Sequence, residues 1–464
     1  MFFLIISLLS AYFINDADAA CTGASPTWTC AADTPSVDIQ TAINNAMAGD
    51  TINVGAGSGT WSNIKISKGI NLIGVGVGRT VITAGTCTGC YGGMCFITYN
   101  PSDYTLNTPF RLSGFSFNMN GTCGGLALGH DGKKAPFTVQ TKVRVDNNRF
   151  YNAGRSYASK TIWNFGGMYG VVDHNIFEDG WYTIKNDPQI VEDYNWWELE
   201  PQKTYTPGRS TNLYYENNTI NVSGSDDAVV AECQYGGRYA FRYNTINLSI
   251  PSYSLFEMHG HQGSGGDAMP SCFGAEVYGN RVNAGSNEIT LFKTRGGHSY
   301  IFNNSVVAGS MNVIAYDGLL SCPPSDEDPS GQMVHDTYVW GSRSGYTGPL
   351  VGASASHDTA VTCGGLTNRP TLGRDIISDG SSPGVTAGTL ANRPATCTTG
   401  QGYWATDQST TGLTGMVGVD PATPIDGTLY KCTATNTWTS YYKPYTFPHP
   451  LTKKPQPPVI LKII

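Results

Sequence analysis

The chain repeats a short alternation of apolar and polar positions that ends in an asparagine corner. The form is apolar-x-apolar-x-Asn-x-x-apolar, or close to it, as in VRVDNNRF from Val143, FRYNTI from Phe241 and YIFNNSVV from Tyr300. A period of two residues is typical of β-strands, because successive strand side chains point to opposite faces. The repeat therefore predicts a series of similar short strands.

The corners recur at spacings that fit one structural unit. Two early copies carry Gly instead of Asn, and the equivalent positions are Gly74, Gly114, Asn148, Asn175, Asn218, Asn244, Asn280 and Asn304. The shortest spacings, near two dozen residues, suffice for three short strands with tight turns, and the longer ones leave room for inserted loops. Gly and Asn both tolerate left-handed backbone conformations at corners.

These features predict an all-β chain that forms a single-stranded parallel β-helix, with each unit as one coil. Stacked Asn side chains are expected to hydrogen-bond from coil to coil. An antiparallel sandwich or a propeller would instead need hairpin turns or a steadier period near 40 residues.

A short N-terminal helix is predicted to cover the first edge of the stack, because an open sheet edge needs protection. The apolar positions of this segment share one helical face: Ile39, Ala42, Ile43 and Ala46. Thr34 as N-cap, Pro35 at the first helical position and Gly49 just past the end are typical helix boundaries.

This helix, followed by TINV and a stack of coils, resembles the pectate-lyase-like superfamily of right-handed parallel β-helices. The resemblance covers roughly Asp38 to Trp340 and implies the fold, with the right-handed form. From Gly341 on, the Asn corner disappears and Gly, Ser, Thr and Pro dominate. The predicted organisation is a signal peptide over 1–19, a β-helix domain over 20–345 and an irregular C-terminal region over 346–464, packed on or extending the last coils.

The first residues predict export. Met1 to Tyr12 is an apolar run too short to span a bilayer, and Ala17-Asp18-Ala19 supplies a small-x-small cleavage site. A secreted protein, extracellular or periplasmic, is expected. No later run reaches ~18 uninterrupted apolar residues, so no transmembrane segment is predicted.

Twelve cysteines follow the cleavage site, and an even number in an exported chain favours disulfides. Cys87, Cys90 and Cys95 could instead hold a metal, but no His lies nearby. We expect Cys397 and Cys432 to be joined across the C-terminal region.

Composition excludes one class of partner. Charged residues make up only 14% of the chain, against a usual ~25%. Lys and Arg number 28 against 35 Asp and Glu, and the resulting net charge of −7 has the wrong sign for binding a nucleic-acid backbone.

Four strands that precede Asn corners align in one register and place ionisable residues on one outward face. The aligned segments are Ile184-Lys-Asn-Asp187, Ala231-Glu-Cys-Gln234, Phe256-Glu-Met-His259 and Phe292-Lys-Thr-Arg295. Their second and fourth positions form two outward columns, ~4.8 Å apart from coil to coil: Lys185, Glu232, Glu257 and Lys293, beside Asp187, Gln234, His259 and Arg295. Seven of these eight residues are ionisable, which favours a functional strip over a merely solvated face.

One chemistry that fits the strip is β-elimination from a uronate-containing polysaccharide. Arg295 suits neutralisation of the uronate carboxylate, and Lys293 or Lys185 suits removal of the C5 proton, with His259 as a further catalytic candidate. Gln234, His261 and His298 are the candidate substrate-binding residues. The predicted metal ligands are Glu232, Glu257 and Asp187, and the predicted ion is Ca²⁺.

The segment from Phe292 to His298, followed by Ile301-Phe-Asn-Asn304, resembles the catalytic-arginine coil of the chondroitinase B and alginate lyase family. Glu257, one coil earlier, is similar to that family's metal-binding acid. The sequence departs from the family pattern at Lys293, two residues before the Arg, and at His259, in place of a second acid.

Two alternatives stay open. The order Asp187, Asp226-Asp227, His259-Gly-His261 and Lys293-Thr-Arg295 is similar to the motif order of polygalacturonases, which are glycoside hydrolases. A non-catalytic glycan-binding or adhesin-like β-helix would use the same strip as a groove. Trp163, Trp181, Trp196 and Trp197 suit either sugar stacking or packing.

Overall fold

The computed structural model describes most of the chain in separate ranges. They are residues 20–88, 95–129, 139–154, 159–178, 182–186, 206–223, 229–252, 254–262, 270–316, 321–322, 332–344, 351–353, 362–363, 366–367, 370–408 and 427–452.

Within these ranges, three long sheets dominate, and the chain visits them in strict rotation. Sheet A contains β1 (Thr22–Ala24), β2 (Thr27–Cys30), β3 (Thr51–Val54), β6 (Asn71–Gly74), β9 (Phe110–Ser113), β12 (Gln140–Asp146), β15 (Met168–Asp173), β18 (Leu213–Glu216), β21 (Arg238–Arg242), β24 (Gly274–Tyr278), β27 (His298–Phe302), β30 (Thr337–Trp340) and β35 (Ile376–Ser378). Sheet B contains β4 (Gly57–Trp61), β7 (Thr80–Ala84), β10 (Ser116–Asn118), β13 (Arg149–Tyr151), β16 (Ile176–Glu178), β19 (Thr219–Val222), β22 (Thr245–Leu248), β25 (Arg281–Asn283), β28 (Ser305–Val307) and β31 (Arg343–Ser344). Sheet C contains β5 (Ile64–Ile66), β8 (Cys95–Tyr99), β11 (Gly124–Leu128), β14 (Ile162–Asn164), β17 (Tyr182–Asn186), β20 (Val229–Cys233), β23 (Phe256–Met258), β26 (Glu288–Thr294), β29 (Ser310–Tyr316) and β32 (Val351–Ala353).

From β3 to β32 each group of three consecutive strands contributes one strand to A, one to B and one to C. From β3 to β29 each strand pairs in parallel with the strand three positions later, while β30 pairs in parallel with β35. At the start of sheet A, β2 pairs in parallel with β3 and antiparallel with β1. The chain is therefore all-β with long parallel sheets, as the repeat predicts. Apolar side chains from the three sheets meet in one continuous buried core.

The Asn corners between sheets A and B form a hydrogen-bonded ladder. The backbone N–H of each corner Asn donates to the side-chain oxygen of the next, at 2.8–3.1 Å, through Asn148, Asn175, Asn218, Asn244, Asn280 and Asn304. Each Nδ2 also donates to backbone carbonyls, as Asn244 does to Arg242 O at 2.9 Å. These six positions stack as predicted, and the ladder satisfies backbone groups that a tight corner leaves unpaired.

The left-handed residue is the one before the ladder position, which corrects the prediction that the corner Asn itself adopts this conformation. Asn147 and Asn217 have φ of 53° and 55°. Gly114 aligns with Asn147 and not with Asn148, because Ser113 pairs with Asp146. A Cβ on Gly74 would lie 2.4 Å from the carbonyl oxygen of Gly114, so this close approach requires glycine.

The predicted helix is present as α1 (Ser36–Asn45), and its buried residues are Ile39, Ala42 and Ile43. The prediction of Thr34 as N-cap is wrong. Pro35 is the N-cap, because its ψ of 148° is extended and helical geometry starts only at Ser36. The C-cap is Ala46, three residues before Gly49.

The C-terminal region extends and covers the parallel sheets. Strands β32 and β35 continue sheets C and A beyond residue 345. A fourth sheet follows, with β36 (Val385–Gly388), β37 (Gly402–Ala405), β38 (Thr428–Ala434) and β39 (Thr437–Tyr442), and β33 (Thr362–Cys363) and β34 (Leu366–Thr367) form a hairpin. Short 3₁₀ turns lie at Tyr104–Leu106, Leu390–Asn392 and Pro450–Thr452. Trp404 and Tyr442 pack on aromatic rings of sheet A, with Tyr442 stacked 4.1 Å from Tyr300.

A fully buried arginine ties the end of the described chain to sheet A. Arg242 donates to Glu216 at 2.8 Å and to the carbonyl oxygens of Tyr445 and Thr446 at 2.6 and 3.0 Å. Burial raises the pKa of Glu216 even though Arg242 lies beside it. Both side chains are taken out of water, and the carbonyl oxygens of the C-terminal segment supply hydrogen bonds that water would otherwise make. This segment must therefore stay packed on sheet A.

The described cysteines form disulfides, and the predicted Cys397–Cys432 pair is confirmed, with Cα atoms 6.0 Å apart. The other described pairs are Cys21–Cys30, Cys87–Cys123, Cys233–Cys272 and Cys322–Cys363. Cys95 is also disulfide-bonded. Disulfides are typical of proteins in oxidising compartments. None of the helices among the described residues is long and apolar enough to cross a membrane, and the predicted signal peptide lies outside those residues.

The ladder predicts a large difference between two nearby asparagines. Asn244→Ala should destabilise the protein by about 3 kcal/mol, because it leaves buried backbone groups unpaired. Asn247→Ala is the control: Asn247 is half-buried and belongs to an outer ladder with Asn221 and Asn283. The free energy of unfolding of this variant should fall by about 1 kcal/mol or less. Denaturant unfolding measures both, and equal losses would contradict the structural role of the inner ladder.

Burial of His449 predicts a loss of stability in acid. Burial lowers the pKa of His449 to about 3, below the value of about 6.5 for an unfolded chain. The unfolded state therefore binds more protons in this window, and stability falls as the pH drops from about 6.5 toward 3. In His449→Asn, an amide oxygen can replace Nδ1 as acceptor for the Leu451 N–H. Because asparagine takes up no proton on unfolding, urea unfolding between pH 7 and 4.5 should show a shallower loss of stability.

The control for this experiment is His174→Asn. A hydrogen bond to Asp173 raises the pKa of His174, so its contribution has the opposite sign and is lost as the pH rises. If His449→Asn follows the wild-type pH dependence, His449 does not control the loss of stability in acid.

Candidate functional site

The strip predicted from the sequence lies on the outward side of sheet C. Lys185 pairs with Glu232, Glu232 with Glu257, and Glu257 with Lys293, on four successive strands. The neighbouring Phe256 is fully buried in the core. The register prediction is therefore confirmed, since these ionisable positions share one column opposite the core.

The strip is much less exposed than predicted. Glu232 is fully buried and Glu257 and Arg295 are each 6% exposed, while His259 and Lys293 are half-buried. The side chains of His259 and Arg295 contact the two glutamates across the strand ends instead of extending into solvent. The result is a compact polar cluster at the corner where sheet C leads into sheet A.

The cluster is a continuous chain of polar contacts. Arg295 Nη2 lies 2.6 Å from Glu257 Oε1 and 2.8 Å from His259 Nδ1. His259 Nε2 lies 3.0 Å from Glu232 Oε2 and 3.7 Å from Glu257 Oε1. Two carboxylates thus flank one imidazole, and a guanidinium bridges the imidazole and one carboxylate.

This geometry sets the hydrogen-bonding state of the imidazole. A guanidinium has no acceptor, so Arg295 donates and Nδ1 of His259 accepts. Nε2 then carries the ring proton and donates to Glu232. A carboxylate that holds a histidine by one nitrogen fixes its orientation and stabilises the cation that forms when the other nitrogen takes a proton.

Charge also keeps Glu257 ionised. Burial by itself raises the pKa of this carboxyl, but the neighbouring His259 ring and the Arg295 guanidinium outweigh burial, and the net pKa lies below the usual value. Glu257 is therefore an anionic partner for Arg295.

Lys160 belongs to the cluster, although nothing in the sequence pattern pointed to it. Its side chain is fully buried, and its Nζ lies 3.8 Å from Glu232 Oε1. It precedes β14 and stands outside the aligned columns, so only the tertiary structure brings it to Glu232. Tyr239 was also missed: its buried hydroxyl donates to the backbone oxygen of Glu257 at 3.5 Å.

The predicted substrate-binding residues separate into different surroundings. Gln234 is 1% exposed and follows β20 directly, next to the cluster. His261 is fully buried, and its Nδ1 lies 3.0 Å from Ser321 Oγ; burial lowers its pKa. His298 lies at the start of β27 with its ring 5.3 Å from that of His335, and burial, together with His335, lowers the pKa of His298 to about 3.

Most of the remaining predicted residues lie outside the described part of the chain. Asp187 lies outside the described residues, as do Asp226 and Asp227. Trp163 is buried and stacks on Phe165 at 4.5 Å, which makes it a packing residue. Trp181, Trp196 and Trp197 lie outside the described residues.

One group of described residues could hold a metal ion, since donor atoms of Glu232, Glu257 and His259 lie within 4.8 Å of one another. The donor set fits Ca²⁺ poorly, because Ca²⁺ takes six to eight oxygen ligands and an imidazole nitrogen suits transition metals. Arg295 also occupies Glu257 Oε1 and His259 Nδ1. A metal ion would have to displace this guanidinium from both atoms.

Comparisons with known proteins identify no family. No family model and no curated protein matches the chain. A solved structure named Geobacillus virus E2 ORF18 is similar over 62% of this chain and 59% of that chain, with 13% identity and a TM-score of 0.31. A score this low supports no conclusion about fold or function.

The close approach of two strand ends in the cluster requires a glycine. A Cβ at Gly260 would lie 2.5 Å from the Arg295 carbonyl oxygen and 3.0 Å from Arg295 Cβ. Since both contacts are with backbone or stem atoms, a larger residue must push Arg295 away from His259.

Gly260→Ala should therefore destabilise the protein by about 1–3 kcal/mol, as overpacking usually does. The control is Gly55→Ala, where the nearest atom to the added Cβ lies 3.6 Å away, an ordinary contact. Thermal or urea unfolding measures both variants. A Gly260→Ala protein as stable as the Gly55→Ala protein would show that the two strand ends are not tightly packed.

Proposed function

We propose that the protein is a secreted polysaccharide lyase that cleaves an acidic, uronate-containing glycan by β-elimination. The observation that carries this proposal is the imidazole of His259, held between Glu232 and Arg295 on the same face as Lys293. We further propose that the fold is a right-handed parallel β-helix of the pectate-lyase-like kind. Strict rotation among three parallel sheets supports this, because such a helix places one strand of each coil in each sheet.

Local charge favours an anionic ligand. Among the described side chains, the two carboxylates of Glu232 and Glu257 face three cationic groups, on Lys160, Lys293 and Arg295. With His259 neutral, the cluster is positive in a chain whose net charge is −7. A uronate polymer supplies the matching carboxylate at every uronic-acid unit.

Arg295 binds the substrate carboxylate in the proposed reaction. A guanidinium binds a carboxylate through two parallel hydrogen bonds. Neutralising that carboxylate makes the adjacent C5 proton more acidic, since the negative charge that develops at C5 is spread onto it. As Arg295 shifts to the substrate while it keeps its contact with Glu257, it leaves Nδ1 of His259 open as a base.

The proton and electron movements then balance without another reactant. His259 Nδ1 takes the C5 proton, the C5 electron pair forms the C4–C5 double bond, and the C4–O4 bond breaks. Glu232 stabilises the imidazolium that results. Lys293 donates a proton to the departing O4, and proton exchange with water restores both residues.

The candidate acids of the hydrolase alternative, Asp187, Asp226 and Asp227, lie outside the described residues, and the described acids of the cluster do not replace them. An inverting hydrolase places its two carboxyl groups about 6.5–9.5 Å apart to leave room for water. The nearest donor oxygens of Glu232 and Glu257 lie within 4.8 Å of each other, and both carboxylates already hold His259 or Arg295.

The test is product analysis on a panel of acidic polysaccharides, with Arg295→Lys as the diagnostic variant. Wild type should produce chains with a C4–C5 double bond, detected by ultraviolet absorbance. Arg295→Lys keeps the charge but cannot bind a carboxylate through two parallel hydrogen bonds, and should lower kcat/KM about 100-fold. Lysine is chosen because alanine would leave the buried Glu257 without its partner.

Arg149→Lys is the matched control, since Arg149 pairs with Glu178 on sheet B, away from the cluster. This variant should keep wild-type activity. New reducing ends without the double bond would identify a hydrolase, and binding without products would identify a glycan-binding protein. Full activity in Arg295→Lys would remove Arg295 from the mechanism.

A further inference from the structure

We infer that the Cys233–Cys272 disulfide is a positioning element for His259. The backbone of His259 lies between the two bridged residues. Its N–H donates to the carbonyl oxygen of Cys233 at 3.0 Å, and its own carbonyl oxygen accepts from the N–H of Cys272 at 2.8 Å. The disulfide and these two hydrogen bonds therefore link Cys233, His259 and Cys272 in a closed ring.

The same bridge is adjacent to the carboxylate that orients the imidazole. Cys233 directly follows Glu232 at the end of β20, and Glu232 Oε2 lies 3.0 Å from His259 Nε2. Both cysteines are fully buried, with their side chains in the core. One cross-link thus fixes the backbone on which the carboxylate sits relative to the backbone on which the histidine sits.

This position needs such support because His259 lies just beyond a strand. Strand β23 ends at Met258, and the next strand among the described residues is β24, which begins at Gly274. Past the end of the strand the His259 backbone depends on its hydrogen bonds to Cys233 and Cys272, and connecting segments are the more mobile parts of a fold. A displacement of about 1 Å would lengthen the His259–Glu232 contact beyond hydrogen-bonding distance.

The experiment compares two double variants. Cys233→Ala/Cys272→Ala removes the bridge at the cluster, and Cys397→Ala/Cys432→Ala removes a bridge in the C-terminal region. The bridged residues are 39 and 35 positions apart, so the chain-entropy effect of losing either bridge is nearly the same. A purely structural role predicts the same consequences for both variants.

The first readout is ¹⁵N NMR of the histidine side chains in the full chain, with the His259 signals assigned by their loss in His259→Gln. In wild type, His259 should show a protonated Nε2 and an unprotonated Nδ1. The Cys233→Ala/Cys272→Ala protein should lose this single tautomer, whereas the Cys397→Ala/Cys432→Ala protein should keep it. Unchanged His259 signals in both variants would overturn the inference.

The second readout is steady-state kinetics well below the unfolding temperature, and this part rests on the proposed function. Loss of the cluster bridge should lower kcat about tenfold or more, with a smaller effect on KM, because the base is misplaced while Arg295 remains. If wild type has no lyase activity, the proposed function fails, but the NMR comparison still decides the inference. If Cys233→Ala/Cys272→Ala does not fold, Cys233→Val/Cys272→Ala restores apolar volume and is tested in the same way.

Discussion

The Asn ladder is the interaction on which the rest of the structure depends. A backbone that turns sharply after every strand of sheet A leaves peptide groups that no strand can pair. Each side chain from Asn148 to Asn304 accepts from the backbone N–H of the preceding corner and donates to a carbonyl oxygen of that same preceding unit, as Asn280 does to Phe241 O, so that each corner is held at a fixed offset from the next. Since the corners stack in register, the strands between them do so as well, and their side chains form vertical columns.

Within those columns, residues that are one unit apart in the sequence come into contact. Residues 25 positions apart, such as Glu232 and Glu257, become direct neighbours on sheet C. Because the A-to-B corners are fixed by the ladder, extra chain length is accommodated at the other corners, such as the C-to-A corner between Met258 at the end of β23 and Gly274 at the start of β24. The polar cluster forms at that side, where strand ends supply some side chains and irregular segments supply others.

Burial gives the cluster its chemical character. In water, Arg295 and the two glutamates would be separately solvated, and their pairing would be weak. Packed at the corner, they hold His259 in one tautomer, and the guanidinium occupies atoms that a metal ion would need. A second buried set, around Arg242 and Glu216, instead fastens the C-terminal segment. Both sets are buried charge networks, but among the described residues only the first has an imidazole that links a carboxylate to a guanidinium.

The sequence by itself determined the features that follow from local periodicity. The alternation of apolar residues predicted the all-β class, the spacing of corners predicted the ladder, and the shared register predicted the column through Glu232, Glu257 and Lys293, because strand geometry repeats every two residues. Tertiary structure alone decided the burial of that column, the approach of Lys160 to Glu232 and the docking of the tail on Arg242. These depend on contacts between segments that share no sequence period: Lys160 lies 72 positions from Glu232, and Tyr445 lies 203 positions from Arg242. No pattern along the chain encodes which irregular segment will cover which strand end, since that choice is made by packing.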